Sequence, residues 1–405
     1  MKKYKLTEET LEIDGHTLHR IVALRDFGEV KKGDLGGFIE KESNLAHDWN
    51  CWIYNDAVVR DDAMVYGEAR VCGEAEVCGE AEVCGEARVY DYAMVYGEAR
   101  VYGKAKVYGE AEVYGKAKVC GEAKVCGKAK VCGEAEVYDY AKVYGKAKVC
   151  GEAEVYGEAR VCGEAKVCGE AEVYGKAEVY DYAKVYGKAR VCGEAEVCGE
   201  ARVCGEARVY DYAMVYGEAR VCGEAEVYGK AEVCGEARVY GEARVCGEAE
   251  VCGEAEVCGE ARVCGEAEVC GEARVCGEAE VYGKAEVYGE ARVYDYAKVY
   301  GKARVCGEAK VCGEARVCGE AEVCGEARVC GKAVIKSKSD YIVFNNWWSS
   351  GRYFTWARSN DMWSVGRFYG TGEELIKKAY NDSEEKGREY ERIVKYVESI
   401  KQEFK

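Results

Sequence analysis

Proline is absent from the 405 residues, and histidine occurs only three times. A chain with 50 glycines and no proline is not collagen-like, and 49% hydrophobic residues set it apart from disordered segments. No apolar run reaches the roughly 18 to 20 residues that a membrane-spanning helix needs. Met1-Lys2-Lys3 is followed by polar residues where a signal peptide would have its apolar core, so the expected location is the cytoplasm. The mixed spacings of zinc and redox motifs, such as CxxC, are also missing.

Cysteine itself is plentiful, with 26 residues. All but Cys51 recur at one phase of a six-residue repeat, and such uniform spacing reads as one structural role copied many times. The expectation is a ladder of reduced thiols with no bound metal or cofactor. In-register neighbours would be about 4.8 Å apart but would point the same way, a poor arrangement for a disulfide. The net charge of −17 belongs to the repeats, because the flanking segments nearly cancel.

Aliphatic residues fall every six positions from Ile53 through Val59, Val65 and Val71 to Val329 and Ile335, without a slip. The unit is V-[CY]-G-[EK]-A-[REKM]. Ala and Val, two apart, face one side of a short strand, and the variable residue between them faces the other. Glycine marks the break. Where it is replaced, the residue is Asn55, Asp61, Asp91, Asp139, Asp181, Asp211 or Asp295, types that tolerate a positive φ. Five of these lie in a VYDYA cassette at Tyr90-Asp91-Tyr92, Tyr138-Asp139-Tyr140, Tyr180-Asp181-Tyr182, Tyr210-Asp211-Tyr212 and Tyr294-Asp295-Tyr296, read as aromatic clamps at corners.

An aliphatic residue with a small one two positions before it, as in Ala69-Val71 and Ala75-Val77, resembles the hexapeptide-repeat proteins. That resemblance implies an all-β fold, a left-handed parallel β-helix with three repeats, or 18 residues, per coil and about 16 coils. At about 4.8 Å per strand the repeats would extend for roughly 77 Å. A flattened solenoid with 12 residues per coil is the alternative. Residues 1–48 read as an N-terminal β cap containing an Asp14-Gly15 hairpin turn, with Phe38, Trp49 and Trp52 leading into the first coils. The run DFGEVKKGDLGGFIEKESNLAHDWNCWIY is also similar to the start of uncharacterised hexapeptide-repeat proteins of bacteria and their phages. Residues 49–336 form the solenoid. Residues 337–405 read as a small α+β domain, with strands, a helix capped by Thr371, and an amphipathic helix carrying Ile393, Val394, Val397 and Ile400.

For activity, the resemblance implies an acyltransferase, with a histidine as general base and coenzyme A held between coils. The only histidines, His16, His19 and His47, precede or open the repeats, and no loop interrupts the coils to wall off a pocket. The related carbonic anhydrases need histidines from neighbouring coils. The expectation is therefore a protein that is not an enzyme: a rigid scaffold binding a macromolecular partner, a protein rather than nucleic acid or membrane, with self-association through its ends or faces also open. An acidic nucleic-acid mimic is the runner-up, weakened because Lys and Arg intermingle with Glu along the sequence. Aromatics interleaved with arginines make the C-terminal domain the expected binding region, with Trp347, Trp348, Arg352, Tyr353, Trp356, Arg358, Trp363 and Arg367 as the candidate residues.

Overall fold

The computed structural model describes residues 2–403 and is a parallel β-solenoid of about 17 turns with about 18 residues each. Two compact units, Met1–Glu218 and Ala219–Lys405, divide it. In both, every third repeat pairs in parallel with no register shift. Val131 lies beside Val113 and Val149 in the first unit, and Val251 beside Val233 and Val269 in the second. Neighbours 18 residues apart exclude the 12-residue coil.

The repeat folds this way because its polar backbone is satisfied from rung to rung. Lys130, Cys132 and Glu134 donate their amides to the carbonyls of Ala147, Val149 and Gly151, at 2.9, 2.9 and 2.8 Å. The Ala and Val of each repeat are fully buried, and each buried valine contributes about 1.5–3 kcal/mol. The corner is left-handed, as at Gly133 (φ 74°). A Cβ there would lie 2.9 Å from both the amide nitrogen and the carbonyl oxygen of Gly151.

In the first unit the cap is a hairpin of β1 (Tyr4–Ile13) and β2 (His16–Ala23), followed by β3 (Leu35–Ile39). β3 pairs antiparallel with β2 on one side and parallel with the first coil on the other, Ile39 beside Val59. The cap thus supplies an irregular opening turn ahead of the regular coils. Gly37 permits the approach, since a Cβ would meet the Ala57 carbonyl at 2.3 Å. Trp52 is buried edge-on to Phe27 and Tyr4. Trp49, expected to lead inward, is 71% exposed, because it occupies a left-handed turn (φ 60°) that turns it out of the coil.

In the second unit the coils end against an antiparallel sheet of strands Tyr341–Asn346, Arg352–Ala357, Met362–Val365 and Phe368–Gly370. Helices α1 (Gly372–Asp382) and α2 (Glu384–Glu403) follow. Thr371 caps α1 reciprocally with Glu374. The sheet covers the last coils: Val334 and Arg328 donate amides to the hydroxyls of Ser359 and Thr355, at 2.6 and 2.8 Å. Otherwise open strand edges are satisfied in this way.

Candidate functional site

The C-terminal candidates separate by burial. Trp356 and Trp363 belong to the core between the sheet and the helices, with Phe354, Val365, Leu375, Tyr390 and Val394, and are not presented to a partner. A small module needs large side chains to close a core, and strand alternation turns these two indoles inward. Tyr353 is half-buried, and Arg358 is exposed on the turn that follows its strand. Trp347 and Trp348 are 77% and 57% exposed on the turn joining the first two strands, their rings 6.3 Å apart and nearly perpendicular. Trp348 donates its indole N–H to Glu389 of α2 at 3.3 Å.

Arg352 and Arg367 are brought together. With Phe368, Lys378, Asp382 and Tyr390 they line a cleft of about 410 Å³ between the sheet and the helices. None of its three cations is ion-paired among the described residues, and Lys378 lies 5.5 Å from the centre of the Phe368 ring. Three cations against one carboxylate suit an anionic group beside an apolar floor.

The histidines sit in or beside the cap. His16 has Nδ1 3.1 Å from a Glu40 oxygen and Nε2 3.6 Å from Asp61, and the contact with His16, together with the Asp61 amide, holds the Glu40 carboxyl below the usual range. His19 contacts the Thr7 carbonyl. His47 packs against Tyr4 with the rings tilted by 31°, its Nε2 is buried without a hydrogen-bond partner, and burial lowers its pKa. His16 with Glu40 and Asp61, and Cys234 with Glu250 and Cys252, each place three ligand atoms within 4.8 Å of one another, sets that could hold a divalent cation.

The cysteine and tyrosine ladders are present, with Tyr90 stacked on Tyr108 at 4.9 Å. The expectation of free thiols fails at three places. Cys246–Cys264, Cys306–Cys324 and Cys312–Cys330 are bridged between adjacent rungs, which a Cα separation of 4.6 Å permits, while other stacked cysteines such as Cys132, Cys150 and Cys168 are free.

The rung register also sorts the charges, which the linear sequence hides. Residues six apart mix both signs along the chain, but those stacked in space are 18 apart. One column of the first unit reads Arg70, Arg88, Lys106, Lys124, Lys142, Arg160, and only then Glu178. A second reads Lys130, Lys148, Lys166, Lys184, Arg202. In the second unit one column reads Glu232, Glu250, Glu268, Glu286 before Arg304, and another ends Arg274, Arg292, Lys310, Arg328. Ion pairs form where the sign changes, Arg160–Glu178 at 3.0 Å and Arg304–Glu286 at 3.0 Å. Inside the first run, Arg88, Lys106, Lys124 and Lys142 make no ion pair among the described residues. In these columns, residues that intermingle along the chain are segregated by sign on the surface, whereas the column Glu82, Arg100, Lys118, Glu136 stays mixed.

No protein-family profile matches the chain. Part of it is similar to a protein of Escherichia coli (strain K12) named uncharacterized acetyltransferase YdcK, at 39% identity over 67 residues, or 15% of this chain. The match is short. The chain covers 21% of that relative's length. The similarity agrees with the hexapeptide-repeat resemblance and corrects the expectation that the chain is not an enzyme, since the relative bears an acetyltransferase's name. None of the described helices is long and apolar enough to cross a membrane.

Proposed function

We propose that this β-solenoid is a repeat scaffold that takes a macromolecular partner at its C-terminal module, the partner being a protein segment with acidic and apolar side chains. The observation that supports this is the pairing of exposed Trp347 and Trp348 with the cleft of unpaired Arg352, Arg367 and Lys378, joined through the short turn that runs into Arg352. Indoles supply an apolar anchor at little conformational cost, and the guanidinium groups select carboxylates. The test is affinity capture with the full chain against Trp347→Ala/Trp348→Ala and Arg352→Ala/Arg367→Ala variants. A partner retained by the wild type and lost from both variants supports the reading; identical capture by all three overturns it.

Acyl transfer is the second reading, favoured by the name of the E. coli relative and by His16, whose imidazole is oriented by Glu40. In this reading His16 takes the proton from an acceptor hydroxyl or amine as the acyl group passes from coenzyme A. Release of coenzyme A from its acetyl thioester, followed by chromatography and lost in His16→Gln, is the expected result. Release that is unaffected by the substitution removes His16 from the role.

A further inference from the structure

We propose that the column Arg88–Lys106–Lys124–Lys142 of one copy docks, rung against rung, on the column Glu232–Glu250–Glu268–Glu286 of a second copy of this chain. Both columns occupy the same place in the repeat, between the buried Ala and Val, so both project from a sheet face. Four like charges stacked at about 4.8 Å repel one another, and nothing among the described residues of the same chain pairs with the cations. A partner with the opposite sign and the same rise relieves the repulsion along the run, chiefly at the middle rungs Glu250 and Glu268, since Glu286 is already paired with Arg304. The acidic column has that rise because the same backbone ladder sets it.

Nucleic acid fits less well. A duplex strand advances about 3.4 Å per phosphate, so it loses step with the rungs within a few residues, and the chain's net charge of −17 opposes a continuous polyanion. Two copies of the chain also repel at long range, but that field is screened beyond about 8 to 10 Å at moderate salt, whereas pairs in contact are screened less. Four rungs cover only about 14 Å of each face. The contact then falls below the roughly 1,200 Å² of a stable interface, so the association is weak and salt-sensitive.

The experiment is sedimentation velocity on the full chain at about 0.1 M and 1 M salt, with Lys106→Glu/Lys124→Glu, with Glu250→Lys/Glu268→Lys, and with the two variants mixed. Glu and Lys both occur at this position in other repeats, so the substitutions suit the rung. The expected result is concentration-dependent association of the wild type at the lower salt, lost at the higher. Each variant alone should be monomeric, and the equimolar mixture should associate again, because each variant keeps the column the other lacks. A monomeric wild type, variants that associate unaided, or a mixture that stays monomeric would each overturn the proposal. A monomeric wild type that instead binds a single-stranded DNA probe through Lys106 and Lys124 would replace it with polyanion binding.

Discussion

Glycine and aspartate solve the same corner differently. Glycine accepts the left-handed conformation without strain, whereas Asp139, at φ 57°, bears some strain and offsets it by accepting a hydrogen bond from the amide of Gly157 on the next rung, at 3.2 Å. Asp91, Asp181 and Asp295 do the same to Gly109, Gly199 and Gly313. The carboxylate is thus a second rung-to-rung clamp of the cassette, beside the first tyrosine where it stacks on the next rung, as Tyr138 does on Tyr156 at 4.9 Å. The tyrosine after the aspartate, Tyr140 for example, is more than half exposed. Asp139→Ala keeps the strain and loses the acceptor, so it should cost about 1–2 kcal/mol locally and speed amide exchange at Gly157 by about fivefold or more; Asp139→Gly should cost less. Unchanged exchange would remove the carboxylate from this role. The thiols differ among themselves in a similar local way. Cys258, hydrogen-bonded by Cys276 and then by Tyr240, is lowered to about 6, while burial lifts Cys252 to about 12. Iodoacetamide at neutral pH should therefore label Cys258 well ahead of Cys252, read peptide by peptide by mass spectrometry.

The C-terminal sheet and helices divide an aromatic cluster that the sequence presents as one. Composition located the cluster, and strand alternation was available to divide it, but the turns had to be placed before Trp356 and Trp363 could be assigned inward and Trp347 and Trp348 outward. Trp363→Ala should destabilise this module by about 3–5 kcal/mol, detected as early proteolysis after residue 340, whereas Trp347→Ala should leave protease resistance unchanged. Equal effects would contradict the division. Strands and corners of the coils were legible to the residue, since Ala, Val and Gly each allow one role in the period of six. The cap was legible as a hairpin, but Trp49 was not, because its left-handed turn carries no glycine. His16 was visible as a residue and invisible as a site. Glu40 and Asp61 reach it only through the pairing of β2, β3 and the first coil.

Across the whole chain the tyrosines set a limit on alkaline stability. Burial lifts Tyr156 to about 12, and hydrogen bonds with Cys126 and Cys162 lift Tyr108 and Tyr144 to about 12. A phenol raised from its ordinary value of about 10 favours folding while neutral, so this contribution is complete below about pH 10 and is lost as the pH rises toward 12. Tyrosinate absorbance should appear late and together with loss of β-structure in that window. A simple titration centred on pH 10 with the fold intact would refute it. The charge columns were the least legible feature, because their neighbours are set by the number of repeats per turn, which resemblance suggested and only the paired register established. That number makes the surface behave like a reading frame. Losing 18 residues deletes one turn and leaves every later side chain in its column. Losing six leaves each hexapeptide intact and the core continuous, yet passes every downstream residue to the next face, so that the Arg88–Lys142 run would be broken by a deletion that no single repeat could reveal.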